Sequence, residues 1–308
     1  MSPRPSHRAV VIGGSIAGSL AAVALSAHFD DVVVLERDDL AAGGNRPGVQ
    51  HAFQFHVLTA GGCKHIERLL PGLVASATAH GVPTMDASRD VVYRSRLGKS
   101  LQFDSGISIR MPSRRFLEPL VRARAEATPR VRFLCRTRVT GLRVAGETVT
   151  GIEAVGPDGH QATMPADLVV DAAGRRSEAH KWLESSGFDR PSEASVDAAW
   201  GYCTTYVAPP KGWDPGYSAF YMSPGASGNA EAAARGGAMW KQEGGRWVVT
   251  AQGCAGDHPP RDPAALKEYI RSTGSAELST VLDQFEMLEA PQTWRNTANR
   301  RRDFGLVR

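Results

Sequence analysis

The chain has 308 residues, the size of one large domain or two moderate ones, and its 42% apolar share supports a sizeable core. The formal charge is only +4, carried by 30 Arg and 6 Lys with no block interleaved with aromatics, which argues against a nucleic-acid surface. Four cysteines (Cys63, Cys135, Cys203, Cys254) lack Cys-x-x-Cys spacing and read as reduced, mostly buried thiols of a cytoplasmic protein.

The first forty residues carry the densest information. An apolar run from Ala9 to Ile12 meets a glycine-rich turn, and small residues follow at helical spacing (Ala17, Ala21, Ala24, Leu25). A second apolar run, Val32 to Leu35, stops on Glu36. This predicts a strand, a tight turn, a helix and a parallel strand with an acid at its tip. Glu36 lies 23 positions after Gly13, close to the ~20 residues that separate a dinucleotide turn from the acid that accepts from a ribose hydroxyl. The helix N-terminus offers bare N–H groups and a positive dipole end to a pyrophosphate.

Gly13 and Gly18 take the first and third glycine positions of the fingerprint, and Ser15 takes the second. Glycine there lets the backbone approach the pyrophosphate. The serine hydroxyl can donate to a phosphate oxygen, so the substitution need not abolish binding. A return to glycine restores the common fingerprint and is expected to change binding by less than ~1 kcal/mol, whereas a roughly tenfold loss would show a direct phosphate contact. Two rival readings are weaker. The uncharged span Ala9 to Phe29, after Arg4 and Arg8, has the look of a secretory signal or a marginal membrane span. Its clustered glycines and the acid-tipped strand that follows favour the nucleotide turn. A G-x-S-x-G hydrolase elbow fails because the second glycine falls one position late.

A polar loop, Arg37 to Gly48, leads to a helix predicted over Val57 to Leu70 and stopped by Pro71-Gly72. His56 just before it reads as an ordinary core or cap histidine. His51, His56, Cys63 and His65 match no standard zinc spacing, and no metal is assigned. Val91 to Ile109 has the texture of two or three short strands. Ser113 caps a helix with Phe116, Leu117, Leu120 and Val121 inward. Pro119 inside that helix is awkward, at ~3 kcal/mol unless the helix kinks. Strands follow at Val131 to Cys135, Val139 to Val144 and Val149 to Val155, then a turn at Pro157-Asp158-Gly159. An apolar strand, Leu168 to Val170, ends in Asp171, and a helix runs from Glu178 to Ser185. From Ser195 the runs WGYCTTYVA, YSAFYMSP, GGAMWKQ and RWVVTAQG predict an antiparallel sheet. Ala264 to Ile270 and Leu278 to Phe285 look like surface helices, and Arg300-Arg301-Arg302 like a solvated helix end.

Taken together, nine segments resemble the FAD-dependent aromatic hydroxylases and epoxidases, the para-hydroxybenzoate hydroxylase-like flavoproteins. Within that family they are most similar to epoxidases of actinobacterial polyether biosynthesis and to squalene epoxidase relatives. The segments are GGSIAG (13–18), ERD (36–38), GVQHAFQFHVL (48–58), LLPGL (69–73), SRRFLEPLVRAR (113–124), TVTGIEA (148–154), ADLVVDAAGRRS (166–177), RWVVTAQGCAGDHPPRDPAAL (246–266) and ANRRRDFG (298–305). They run in the family's order along nearly the whole chain.

The resemblance implies an α/β fold: a Rossmann-like FAD-binding domain with an antiparallel β-sheet substrate domain. The FAD domain would span 1–190, with 85–110 contributing to the substrate sheet. The sheet domain would span 191–275, and 276–308 would begin the return to the FAD domain. Gly13, Ser15, Ile16, Ala17 and Gly18 would form the pyrophosphate turn. Glu36 would bind the adenosine ribose with Arg37 beside it, and Arg114 would reach the cofactor near its pyrophosphate. Val139 would meet the adenine, and Asp171 and Gly174 would lie in the turn corresponding to the family's Asp-Gly motif, with the aspartate two positions early.

The resemblance also implies FAD as cofactor, NAD(P)H as electron donor and delivery of one atom of O2 to a small apolar alkene or aromatic natural product. Because the cofactor carries the hard chemistry, no catalytic side chain is singled out. The family continues past the ANRRR-like segment into a strand ending in Gly-Asp, so this chain reads as C-terminally truncated. Gly256-Asp257 imitates that motif but matches a surface segment. Three alternatives follow: a halogenase, a polyprenyl reductase, or a silent nucleotide-binding accessory protein. The reading leaves room for membrane-surface association and for pairing with a complementing C-terminal fragment or a second copy.

Overall fold

A computed structural model describes residues 7–40, 46–295 and 297–307. The first half runs β1 (Arg8–Ile12), α1 (Ile16–Leu25), β2 (Asp31–Leu35), α2 (Ala60–Leu69), α3 (Leu73–Ala79), β3 (Thr84–Asp86), β4 (Val91–Ser95), β5 (Gly98–Lys99) and β6 (Ser108–Arg110). It continues with α4 (Arg114–Glu126), β7 (Val131–Leu134), β8 (Arg138–Ala145), β9 (Thr148–Val155), β10 (Gln161–Pro165), β11 (Leu168–Asp171) and α5 (Ala179–Ser185). The second half runs β12 (Ser192–Val196), β13 (Gly201–Ala208), β14 (Ala219–Met222), β15 (Arg235–Lys241), β16 (Trp247–Gly253), α6 (Pro263–Ser272), α7 (Ala276–Gln284), β17 (Glu286–Met287), β18 (Gln292–Trp294) and β19 (Asn299–Asp303).

The opening segment folds as a βαβ unit, so the secretory reading falls. β1 pairs in parallel with both β2 and β11, and β7 extends the sheet beyond β2. Ala9, Val10, Val11, Val32, Val33 and Val34 are all fully buried. A strand buried on both faces reads as a continuous apolar run, which is what the sequence shows. The two faces separate cleanly. Ala9, Val11, Val32 and Val34 pack toward Ala22 of α1, whereas Val10, Ile12, Val33 and Leu35 pack toward Val139, Ile152 and Ala154 of the small antiparallel sheet β8–β9–β10. This makes three layers: helices, parallel sheet, antiparallel sheet.

Helix α4 starts at the expected cap. Ser113 Oγ accepts from the Phe116 N–H at 3.1 Å, and Leu117, Val121 and Ala125 are buried. The helix stays continuous across Pro119. Helix α2 starts three residues later than expected, because Thr59 is its N-cap and Leu58 is engaged in a backbone bridge with Arg110.

The larger sheet has the order β17–β13–β16–β15–β14–β4–β5, with β18 also on β13. It is mixed rather than wholly antiparallel, since β4 pairs in parallel with β14. Strands β17 and β18 lie beyond residue 275 and still belong to this sheet. Helices α6 and α7 cover one face, with Leu266, Ile270, Leu278 and Val281 packed on Phe220, Met239 and Val249. The other face presents Tyr206, Ala238, Trp240 and Val248 to Phe53, Met85 and Met111. The arginine triplet is not a helix end. It lies in β19, paired antiparallel with β12, where Arg302 Nε donates to Glu193 at 2.7 Å.

Candidate functional site

The glycine turn between β1 and α1 is the centre of the site. Gly13 has φ of +101°, and a Cβ on it would stand 2.7 Å from the Ala172 carbonyl oxygen. A Cβ on Gly18 would fall 1.8 Å from the Gly13 carbonyl oxygen, so only glycine lets α1 pack this close to the turn. The N–H groups of Ile16 and Ala17, in the first turn of α1, have no acceptor within the helix and point outward from its N-terminus.

Two connected cavities open from this turn. The first, of about 110 Å³, lies between the turn, the tip of β2 and the start of β8, and touches Gly13, Glu36, Arg37, Val139 and Trp182. The second, of about 640 Å³, runs from Ala17 and Arg114 to the edge of the larger sheet, where Phe55, Tyr202 and Trp294 line it. Ser15, Gly48, Val49, Ala172, Ala173 and Arg176 border both. A small polar cavity joined through a glycine turn to a wide aromatic one suits an adenosine on one side and a flat ring with its substrate on the other.

Arg46 links the polar groups of the first cavity. Its Nη2 stands 2.6 Å from Glu36 Oε2, its Nε 3.3 Å from Asp38 Oδ2, and its Nη1 bonds Glu118 Oε1. Glu36 also accepts from the Gly14 N–H at 2.8 Å and the Asp38 N–H at 2.9 Å. Two backbone hydrogen bonds and an ion pair therefore already engage this carboxylate. A ribose hydroxyl bound by Glu36 would share the carboxylate with the Arg46 guanidinium.

In the second cavity, His56 Nδ1 lies 2.8 Å from the Gln54 carbonyl oxygen. A carbonyl only accepts, so Nδ1 carries the proton and Nε2 is left as a bare acceptor. Burial, reinforced by the Arg114 charge, lowers the His56 pKa to about 4. The His51 ring, centred 5.7 Å away, is lowered in the same direction by burial and then by Arg114 and Arg175. Burial and the charge of Arg46 bring Arg114 down to about 10, which leaves it cationic at neutral pH. The cavity thus presents fixed positive charge from Arg114, Arg175 and Arg176 beside two neutral imidazoles. The positive groups suit a pyrophosphate, so the residues present fit FAD.

Most of the expected cofactor residues meet at this site. Gly13, Ser15, Glu36, Arg37 and Val139 border the first cavity, and Ser15, Ala17, Arg114 and Gly174 border the second. Ile16 turns its side chain into the core with Ile66 and Leu117 and can offer only its N–H. Asp171 borders neither cavity. Its carboxylate accepts from the Ala173 N–H at 2.9 Å and from Ser177 Oγ, fixing the turn whose other residues face the site.

Sequence reasoning missed Arg46, Glu118, Tyr202 and Trp294, and assigned His56 a background role. The segment GVQHAFQFHVL held the usable signal for the histidines. His51 and His56 do come together, but Cys63 lies with Arg110, 3.7 Å from its Nη1. Among the described residues no group of three His, Cys, Asp or Glu is placed to hold a metal ion.

The β1–α1–β2 turn, the three-layer domain and the covering sheet define a flavin-binding protein. Residues 7–303 match the family described as FAD binding domain, and the chain belongs to that family. It is 32% identical over 301 residues to protein Rv3254 of Mycobacterium tuberculosis, covering 93% of this chain and 62% of the relative. It is 31% identical over 207 residues to a kynurenine 3-monooxygenase of Salinispora arenicola, covering 65% of this chain and 42% of that protein. The chain therefore spans less than two thirds of the length of either relative. Among solved structures, the flavin-dependent brominase Bmp2 superposes with a TM-score of 0.69 at 14% identity, covering 96% of this chain and 68% of that one. The p-nitrophenol 4-monooxygenase PnpA from Pseudomonas putida gives 0.63 at 16% identity, covering 96% and 68%. These two likenesses concern the fold.

Proposed function

We propose that this chain serves an FAD-dependent monooxygenase that places one oxygen atom of O2 into a small, mainly apolar alkene or aromatic substrate, with NAD(P)H as electron donor. The supporting observation is the cavity of about 640 Å³ that begins at the glycine turn and ends on Phe55, Tyr202 and Trp294. Bound FAD would supply electron transfer from the nicotinamide and activation of O2. The first-turn N–H groups of α1 and Arg114 would hold its pyrophosphate. Val139 and Trp182 would flank the adenosine side.

The aromatic wall excludes water and orients a flat substrate by its ring faces. His56, neutral near pH 7, offers Nε2 to a hydroxyl or another donor on that substrate. Family membership and the kynurenine 3-monooxygenase relatives support the oxygenase reading. Among the described residues no helix is long and apolar enough to cross a membrane.

The test is direct. Purified chain is loaded with FAD, supplied with NADH or NADPH under labelled O2, and offered aromatic and alkene compounds with kynurenine among them. Substrate-stimulated NAD(P)H oxidation with label in the product supports the reading. Halogenated product in the presence of bromide, or oxidation with no labelled product from any compound, overturns it.

A further inference from the structure

Ser15 occupies the second glycine position of the fingerprint, and its hydroxyl is already committed. Ser15 Oγ donates to Glu118 Oε2 at 2.9 Å and accepts from Arg114 Nη2 at 2.7 Å. Arg114 Nε closes the triangle on the same Glu118 oxygen at 3.0 Å. A hydroxyl has one proton, and here Glu118 takes it. In this arrangement the proton is therefore not offered to a phosphate oxygen.

The bonds tie the turn before α1 to the first turns of α4, 103 positions along the chain. Glu118 is 4% exposed and also carries Arg46 on its other oxygen. With Glu118 fixed, the direction of the Arg114 guanidinium is set by two short bonds rather than by its own flexible stem. It borders the wide cavity beside Ala17 and Arg175.

We propose that Ser15 and Glu118 are positioning residues for Arg114: a latch that aims its guanidinium at the pyrophosphate of FAD. The proposal rests on FAD being the cofactor. It gives the serine a role that glycine cannot fill. With glycine at 15, Arg114 Nη2 and Glu118 Oε2 each lose a partner and the guanidinium is free to turn. It also reverses the expectation that glycine at 15 is neutral.

The test uses the full chain and three probes: FAD, ADP and adenosine. Ser15→Ala keeps the Cβ and removes the hydroxyl, and Ser15→Thr restores it. Ser15→Ala should bind FAD and ADP five- to tenfold more weakly and adenosine within twofold of wild type, while Ser15→Thr should recover most of the loss. In an Arg114→Met background, Ser15→Ala should add less than twofold, because the latch then holds nothing. A merely structural role predicts the opposite: an equal loss for adenosine, or a full additional loss in the Arg114→Met background. Either result overturns the proposal, as does wild-type FAD affinity in Ser15→Ala. Failure of the wild-type chain to bind FAD or ADP would overturn the cofactor reading and the proposal with it.

Discussion

Arg46 Nη2 stands 2.6 Å from Glu36 Oε2, so the acid expected to hold a ribose already holds a guanidinium. The same carboxylate fixes the turn through the Gly14 N–H and the loop through the Asp38 N–H. Glu36→Ala should therefore act twice. It should weaken FAD by about 1.5–3 kcal/mol, the loss of a hydrogen bond to a charged group. It should also lower the stability of the cofactor-free chain by a comparable amount. Glu36→Gln is not a mild change here, because both oxygens face donors and the amide NH2 must oppose one of them. FAD titration together with denaturant unfolding checks both effects. Wild-type unfolding with reduced affinity would mean that the internal bonds are incidental.

Glycines of the turn and of the next helix should respond in opposite ways. A Cβ at Gly18 must push α1 off the Gly13 carbonyl, from which it would be only 1.8 Å away. Gly18→Ala should cost about 3 kcal/mol or more and abolish tight FAD binding. Gly61 lies exposed near the start of α2, and a methyl group there would meet no atom within 4 Å. Gly61→Ala should stabilise by about 0.5 kcal/mol. Chemical denaturation of the two variants measures the contrast directly.

The half-buried His56 gives the protein a pH dependence of definite sign. His56 takes up its proton near 6.5 when unfolded and only at about 4 when folded. The unfolded state therefore binds more protons between these values, and stability falls as the pH drops through that window. Above 6.5 the group contributes no slope. The total is about 3 kcal/mol, most of it lost by pH 4.5. In His56→Gln the loss between pH 7 and pH 4.5 should shrink by about 2 kcal/mol. Equal losses in both proteins would show that the ring is protonated more easily than its surroundings imply.

The legible parts of this fold are those written within a few residues. The βαβ unit shows itself because strands buried on both faces become unbroken apolar runs. Helix α4 shows its start because Ser113 caps the Phe116 N–H. The illegible parts are pairings across long separations. Nothing local says that β4 joins β14 in parallel, or that Ser15 meets Glu118. The wide cavity likewise takes His56, Tyr202 and Trp294 from three segments. The arginine triplet misled because a charge run has the same composition on a solvated strand as on a helix end. Its side-chain partner, Glu193, lies 109 positions away.

Phe55 is the residue through which the wide cavity leans on the larger sheet. Its ring meets Trp240 edge-on at 4.6 Å and Tyr202 at 5.9 Å, and it borders the cavity. Its ring contacts are with the larger sheet. Phe55→Ala should thus leave FAD affinity within about twofold of wild type, a change worth less than ~0.5 kcal/mol. Its effect should fall on what the cavity does for the substrate. Removing the ring widens the space and admits water, and a wetter site diverts reduced oxygen to hydrogen peroxide. On the proposed monooxygenase reading, NAD(P)H oxidation should continue while the fraction that ends in oxygenated product drops, with peroxide rising to match. The measurement is the ratio of peroxide to product per NAD(P)H consumed, alongside an FAD titration. An unchanged ratio would mean that the aromatic wall does not shield the reacting centre. A lost FAD affinity would mean that the wall supports the cofactor rather than the substrate.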